Sequence, residues 1–259
     1  MSTYPFRTAL VTGASSGIGE VLVHELAGDG VHTVVVARRS DRLQRLADQY
    51  PNLIEVLTAD LLTPDGQQSV ATRIADRDRR IDLVVNNAGF GTNGTFHEID
   101  ADRLDDEIQL NIAALTRISH AALAVMVPRR RGWLLNLSSV ASFQPAPRLA
   151  VYAATKAYVT SLTESLHEEA RGTGVHVTAL CPGLTKTEFQ SVSNTQQYAD
   201  QFPGFMWTSP DMVAKAGLDA VVSNKTLAIP GAIYKAMSGA TNMMPRALVR
   251  RISSLVQRD

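Results

Sequence analysis

Tyr152 and Lys156 stand four residues apart in VYAATKAYV, the run from Val151 to Val159. On a helix that spacing is about one turn, so a phenol and an ammonium leave the same face as neighbours. Free tyrosine titrates near 10, whereas a proton-transfer group works best near the operating pH. Drawing the phenol toward 7 takes about 4 kcal/mol, at about 1.36 kcal/mol per unit. An ammonium about 4 Å away, at an effective dielectric near 20, supplies about that much. The chemistry on offer is acid/base work, with Tyr152 exchanging a proton and Lys156 lowering its pKa. The same spacing in a chain with six tyrosines also fits an ordinary amphipathic surface pair, so other residues must decide.

A second pattern with chemical meaning is TGASSGIG, Thr12 to Gly19, lying between an apolar run and a helical one. Glycines at 13, 17 and 19 remove side chains where a backbone must turn tightly and approach a pyrophosphate, and the helix amides beyond them favour negative charge. The spacing is Gly-x-x-x-Gly-x-Gly, which differs from the commoner dinucleotide fingerprint. The end of the second apolar run tells which dinucleotide. NAD sites place an Asp or Glu there for the ribose hydroxyls. Here VVVARRSDRL offers Ala37, Arg38 and Arg39, with no acid before Asp41. An arginine fork suits a 2′-phosphate through charge-assisted bonds of roughly 1.5–3 kcal/mol, a preference of about ten- to a hundredfold. NADP(H) is therefore the preferred cofactor, with Arg38 first and Arg39 beside it; NAD(H) stays possible.

These residues need elements to position them. Apolar, β-branched runs at Thr8–Val11, Thr33–Ala37, Ile54–Leu57, Leu83–Asn86, Trp133–Leu137, Val175–Leu180 and Thr226–Ile229 read as strands covered on both faces. Helical stretches fall near Ile18–Ala27, Asp41–Gln49, Gly66–Asp76, Ala101–Met126, Val151–Arg171 and Pro210–Val222. That alternation predicts right-handed crossovers and a parallel α/β sheet with helices on both sides, in one domain over residues 1–259. The segment 186–209 is irregular and rich in aromatics, Phe189, Tyr198, Phe202, Phe205 and Trp207 among them; it reads as a substrate lid. The stretch 245–259 is basic and amphipathic, a surface helix or a contact for a membrane or a partner.

Composition narrows the classes. The chain is 45% hydrophobic and 19% charged, ample for a core, and its formal net charge of zero points away from nucleic acid. Arg129, Arg130 and Arg131 read as a solvated loop. Cys181 is the single cysteine, which fits a reducing compartment and a packed thiol. The six histidines show no ligand spacing, so no metal site is expected. With no signal-like leader and no 18-residue apolar stretch, the expectation is a cytoplasmic protein without a membrane span.

The chain resembles the short-chain dehydrogenase/reductase family along nearly its whole length. The resemblance rests on TGASSGIG (12–19), Asp60 after the third strand, NNAG (86–89), Asn111 in QLNIAAL, Ser139 in NLSS, YAATK (152–156) and PGLTKT (182–187). Ser139 lies thirteen residues before Tyr152. The resemblance implies a Rossmann-like, doubly wound sheet of about seven parallel strands, with the cofactor across their carboxyl ends. It implies that Tyr152 is the acid/base, that Lys156 holds the nicotinamide ribose, that Ser139 bonds the carbonyl, and that Asn111 holds a water continuing the proton path. Gly13, Ser15, Ser16, Gly17, Ile18 and Gly19 would cradle the dinucleotide. Asp60 and Leu61 would meet the adenine, and Asn87, Ala88 and Gly89 would line the cofactor. Pro182, Gly183, Thr185 and Thr187 would face the nicotinamide. Ser16 stands where several NADP-preferring relatives carry a basic residue.

The implied reaction is hydride transfer between nicotinamide and a carbonyl/alcohol pair. Phe90, Val140, Phe143 and Leu149, with the aromatic lid, predict an apolar substrate such as a lipid, steroid-like or aromatic ketone. The alternatives are 3-oxoacyl thioester reduction on the same machinery, or a cofactor-binding sensor or scaffold without turnover. The long helices around 101–126 and 151–171 resemble those through which the family forms homodimers and homotetramers.

Overall fold

The computed structural model describes residues 3–196 and 202–245, together with 247 and 249–251. Tyr198 of the expected lid and most of the basic 245–259 segment lie outside the described residues. Seven strands form one sheet in the order β3-β2-β1-β4-β5-β6-β7. They are β1 (Thr8–Thr12), β2 (His32–Ala37), β3 (Ile54–Thr58), β4 (Leu83–Asn86), β5 (Gly132–Leu137), β6 (Val175–Leu180) and β7 (Leu227–Ala228). Every pairing is parallel.

Parallel strands need crossover helices, and these cover both faces. On one face Leu22 and Leu26 of α1 (Gly17–Gly28), Leu43 of α2 (Ser40–Gln49), and Val213 and Leu218 of α8 (Pro210–Val222) pack against Val11, Val35 and Leu135. On the other, Val70 and Ile74 of α3 (Pro64–Ala75) join Ile118 and Met126 of α5 (Leu115–Met126) over Leu10, Val34 and Leu134. The order in which strands are added reverses between β1 and β4, so the connections leave that point toward opposite sides and open a crevice at the carboxyl ends.

The run expected as one helix at Ala101–Met126 is broken. α4 (Ala101–Ile108) and α5 are joined by a π turn at Gln109–Ala114, which contains Asn111. Such wide turns widen the backbone ladder and recur at functional sites. By length and a mean hydropathy of 1.2, this 26-residue span is the one candidate among the described residues for crossing a membrane. Here its Leu115, Ile118, Ala122 and Met126 are buried against the sheet. Three other expectations are corrected. The 186–209 segment contains a short helix α7 (Phe189–Val192), a 3-10 turn at Gly204–Met206 and a bridge between Thr185 and Thr208. A further helix, α9 (Ala232–Met243), follows β7. Arg129 is not simply solvated: its guanidinium donates to the Ile81 carbonyl and is only 20% exposed.

A buried polar knot fastens β4 and β5 to the helices behind them. Asn86 Nδ2 donates to Ser119 Oγ at 3.0 Å and to Asn136 Oδ1 at 2.9 Å, and Asn136 Nδ2 donates to Thr163 Oγ1 at 3.0 Å. Thr163 belongs to α6 (Ala150–Glu169), the helix that carries Tyr152 and Lys156. Asn136→Ala strands one amide proton of Asn86 and opens a void, so it should cost about 2–4 kcal/mol in chemical denaturation. A loss below about 1 kcal/mol would show that this network does not hold the site's supports together.

Candidate active site

A cleft of about 510 Å³ opens at the carboxyl ends of the strands. It brings together every residue named for the site except Gly19 and Asn111, which sit just behind its wall. Gly13 (φ +67°) and Gly17 (φ +61°) hold left-handed conformations that suit glycine. A Cβ on Gly19 would run into the Gly13 carbonyl and the Asn87 amide, and one on Gly17 would stand 3.2 Å from Thr187 Cβ. Thr12 Oγ1 accepts from the Asn87 and Ala88 amides at 3.0 Å, while Asn87 Nδ2 donates to the Thr12 carbonyl at 2.9 Å. The glycine turn is thereby locked to the loop after β4. Asp60 steadies its own turn by accepting from Leu62 N at 3.0 Å, and Leu61 lies beside it in the cleft wall.

The two arginines after β2 are placed differently. Arg38 lines the cleft with 67% of its side chain exposed, and its Nη1 is 3.9 Å from Asp60. Arg39 lies across the glycine turn. Its guanidinium donates to Ser15 Oγ at 2.9 Å and to Ser16 Oγ at 2.8 Å. Ser16, where relatives carry a basic residue, receives one instead. Glu188, which sequence reasoning missed, accepts from Arg42 at 2.7 Å and from Arg39 at 3.1 Å; the Arg42 contact chiefly holds its carboxyl below the usual range. The signal available was only its place beside Thr187.

At the other end Tyr152, Ser139 and Lys156 meet. Ser139 Oγ accepts from Ala141 N at 3.1 Å and faces the Tyr152 phenol, whose pKa it lowers. Lys156 is buried; its Nζ donates to the Leu137 carbonyl at 2.8 Å and lies 5.7 Å from the centre of the Tyr152 ring. Asn111 Nδ2 donates to the Phe90 carbonyl at 2.8 Å and to Thr155 Oγ1, and its Oδ1 accepts from Phe90 N. A Cβ on Gly89 would stand 2.8 Å from Asn111 Oδ1 and 3.5 Å from Lys156 Nζ, so this glycine lets them close up. Pro182 accepts from Val140 N, Gly183 backs onto the Tyr234 ring, and Thr185 Oγ1 pairs with Thr208 Oγ1 at 3.1 Å.

The expected lowering of Tyr152 is not what the protein's own groups produce. Burial pushes the phenol up to about 12, the Ser139 hydrogen bond works against that rise, and the charge of Glu107 adds to it. Burial likewise draws Lys156 down to about 8. Desolvation disfavours the charged form of each group, and the amine is spent on a carbonyl rather than on the phenol. Cys181 is a packed thiol, pushed up to about 12 by burial. Phe90, Val140, Phe143 and Leu149 all line the cleft, as do Phe189, Phe202 and Met206 from the segment over it; Phe205 is 72% exposed.

A family model described as short chain dehydrogenase matches residues 7–198. Over 181 residues the chain is 35% identical to an uncharacterized oxidoreductase of Staphylococcus epidermidis, covering 70% of this chain and 79% of that one. It is 31% identical to a short-chain dehydrogenase from Sphingobium yanoikuyae solved in complex with NADPH, with a TM-score of 0.80 over 93% of this chain and 98% of that one. It is 30% identical to a bulky-bulky ketone specific alcohol dehydrogenase from Comamonas testosteroni, with a TM-score of 0.76 over 93% and 96% of the two chains. The chain belongs to the short-chain dehydrogenase family. It is an oxidoreductase.

The inverted order of the two titrations is measurable. In the protein alone, the phenolate absorbance lost in Tyr152→Phe should appear only toward pH 12, after Lys156 has lost its proton near pH 8. A phenolate present near neutrality would contradict the dominance of burial.

Proposed function

We propose that this protein is an NADP(H)-dependent reductase of ketones carrying bulky apolar groups. The observation that carries this reading is the meeting of Tyr152, Ser139 and buried Lys156 in the wall of one cleft with an apolar far end. The dinucleotide fits the near end. Glycines at 13, 17 and 19 leave backbone where side chains would collide, α1 directs its first amides there, and Arg38 and Arg39 border the turn. Arg38 and Arg39, with no acid before Asp41, stand at the end of β2 where a carboxylate would take the ribose hydroxyls. The NADPH held by the Sphingobium relative and the ketone specificity of the Comamonas relative point the same way.

When bound, NADPH supplies a hydride to the carbonyl carbon. The Ser139 and Tyr152 hydroxyls receive the carbonyl oxygen as charge builds on it, and Tyr152 gives up its proton. A phenol whose pKa stands near 12 is fully protonated at neutral pH, which favours this donor role and hence the reductive direction. Lys156 holds the ribose and restores the tyrosine's proton, and Asn111 keeps the Phe90 backbone and Thr155 in place behind it. The segment 186–209 acts as the lid. Ile108 at the end of α4, Val127 just after α5 and Tyr158 on α6, all exposed, support association as a homo-oligomer. A reducing, cytoplasmic setting suits the buried thiol of Cys181.

A panel of ketones and alcohols assayed with NADPH and NADH side by side tests the reading. Bulky apolar ketones with NADPH should be turned over fastest, and comparable rates with both cofactors, or activity confined to small polar substrates, would contradict it. Tyr152→Phe should lower kcat/KM by about 10²- to 10⁴-fold with NADPH binding retained. Arg38→Ala and Arg39→Ala should each weaken NADPH by about ten- to a hundredfold while leaving NADH nearly unchanged, as read by fluorescence titration.

A further inference from the structure

Glu107 is completely buried on α4, and among the described residues neither of its carboxylate oxygens has a partner at full hydrogen-bonding geometry. Its nearest polar neighbour is the buried hydroxyl of Thr92, on the loop after β4, which tempers the rise of its pKa without satisfying it. A buried polar group without a partner costs stability and calls for a reason, and a buried carboxylate does so most of all. Arg103, Glu107 and Asn111 follow one another at steps of four, so they share one side of the helix. Arg103 does not neutralise the carboxylate with an ion pair. Its guanidinium lies over the Phe90 ring at 4.2 Å and donates to the Val192 carbonyl. At the inner end of the row, Asn111 Oδ1 and Lys156 Nζ both close over the side of Gly89 where a Cβ would stand. Glu107 and Lys156 act on each other electrostatically, and so do Glu107 and Tyr152.

We propose that Glu107 is the proton reservoir that recharges Lys156 during turnover, a positioning and relay role acting through the lysine and distinct from substrate contact. This rests on the ketone-reductase reading above. The proton balance is simple. Tyr152 loses its O–H proton to the new alkoxide and takes one from the Lys156 ammonium. The neutral amine takes a proton from the Glu107 carboxylic acid through a water held with Thr92. The carboxylate left behind is reprotonated from solvent along the Arg103 side of α4.

Burial raises Glu107 to about 7, and Thr92, Arg103 and Lys156 restrain the rise. Burial lowers the neighbouring Lys156 to about 8, so the acid and the amine are drawn toward each other and a proton can pass between them. The charged groups facing Glu107 are Arg103 from its own helix and Lys156 from α6, with the Tyr152 phenol beyond. The loop after β4 brings only the Thr92 hydroxyl. Reduction through such an acid slows as pH rises past 7, when the reservoir empties.

The test is Glu107→Gln, which keeps the shape and removes the proton. It should lower kcat at least about tenfold, erase the inflection near pH 7 and enlarge the solvent deuterium isotope effect, with Glu107→Asp restoring part of each. A carboxyl ¹³C titration of the wild-type protein, which needs no variant to fold and no turnover, should place Glu107 near neutrality. Wild-type rate, pH profile and isotope effect in Glu107→Gln would overturn the proposal, and so would a Glu107 titration below about pH 5. Failure of the reductase reading shows separately, as wild-type protein that oxidises NADPH with no ketone.

Discussion

A charged amine at the bottom of an apolar cleft must be met by oxygen, and Lys156 is met by the Leu137 carbonyl at 2.8 Å. That bond ties α6 to the end of β5, the strand that leads into Ser139. It also decides the electrostatics of the site. With the ammonium directed at the backbone, burial governs Tyr152 and keeps it a neutral phenol at physiological pH. A neutral phenol suits the proton-donating role proposed for Tyr152, with Ser139 on its reactive side and the lysine behind it.

Much of the remaining architecture serves to keep that amine and phenol in place. The Asn86–Asn136–Thr163 knot couples β4 and β5 to α6 one layer below the reacting groups. Ser138 Oγ donates to the Lys156 carbonyl at 2.8 Å, fixing the helix turn that presents the amine. The π turn around Asn111 lets that side chain reach the Phe90 backbone on both its amide and its carbonyl. At the opposite end of the cleft the same economy holds: Asn87 and Thr12 clasp the glycine turn, and Arg39 with Arg42 ties it to Glu188 at the start of the 186–209 segment.

The sheet was legible in the sequence because buried parallel strands are unbroken apolar runs. Leu83–Asn86 and Val175–Leu180 fall where those runs predict, and most other ends move by one or two residues. The placement of Tyr152 and Lys156 on one helix and the glycine turn were legible because residue type and short spacing mark them. What escaped depends on tertiary contact. Glu107 sits in Asp105-Asp106-Glu107, a run that looks like a solvated face, and only packing shows that the third acid turns inward. Glu188 meets Arg39 and Arg42 from almost 150 residues away, beyond any local pattern. α9 lacks a side-chain cap and begins after a glycine with φ +89°, which gave no start signal. The direction of the Tyr152 shift escaped for the same reason: distance from an ammonium can be guessed from spacing, but burial cannot.

The most direct measurement is a crystal structure of the protein with NADPH and an unreactive analogue of a bulky ketone. The account predicts the analogue's oxygen between the Tyr152 and Ser139 hydroxyls, with Lys156 on the side of the phenol away from it. An oxygen bound elsewhere in the cleft, or a Tyr152 hydroxyl turned away from both Ser139 and the ligand, would contradict it.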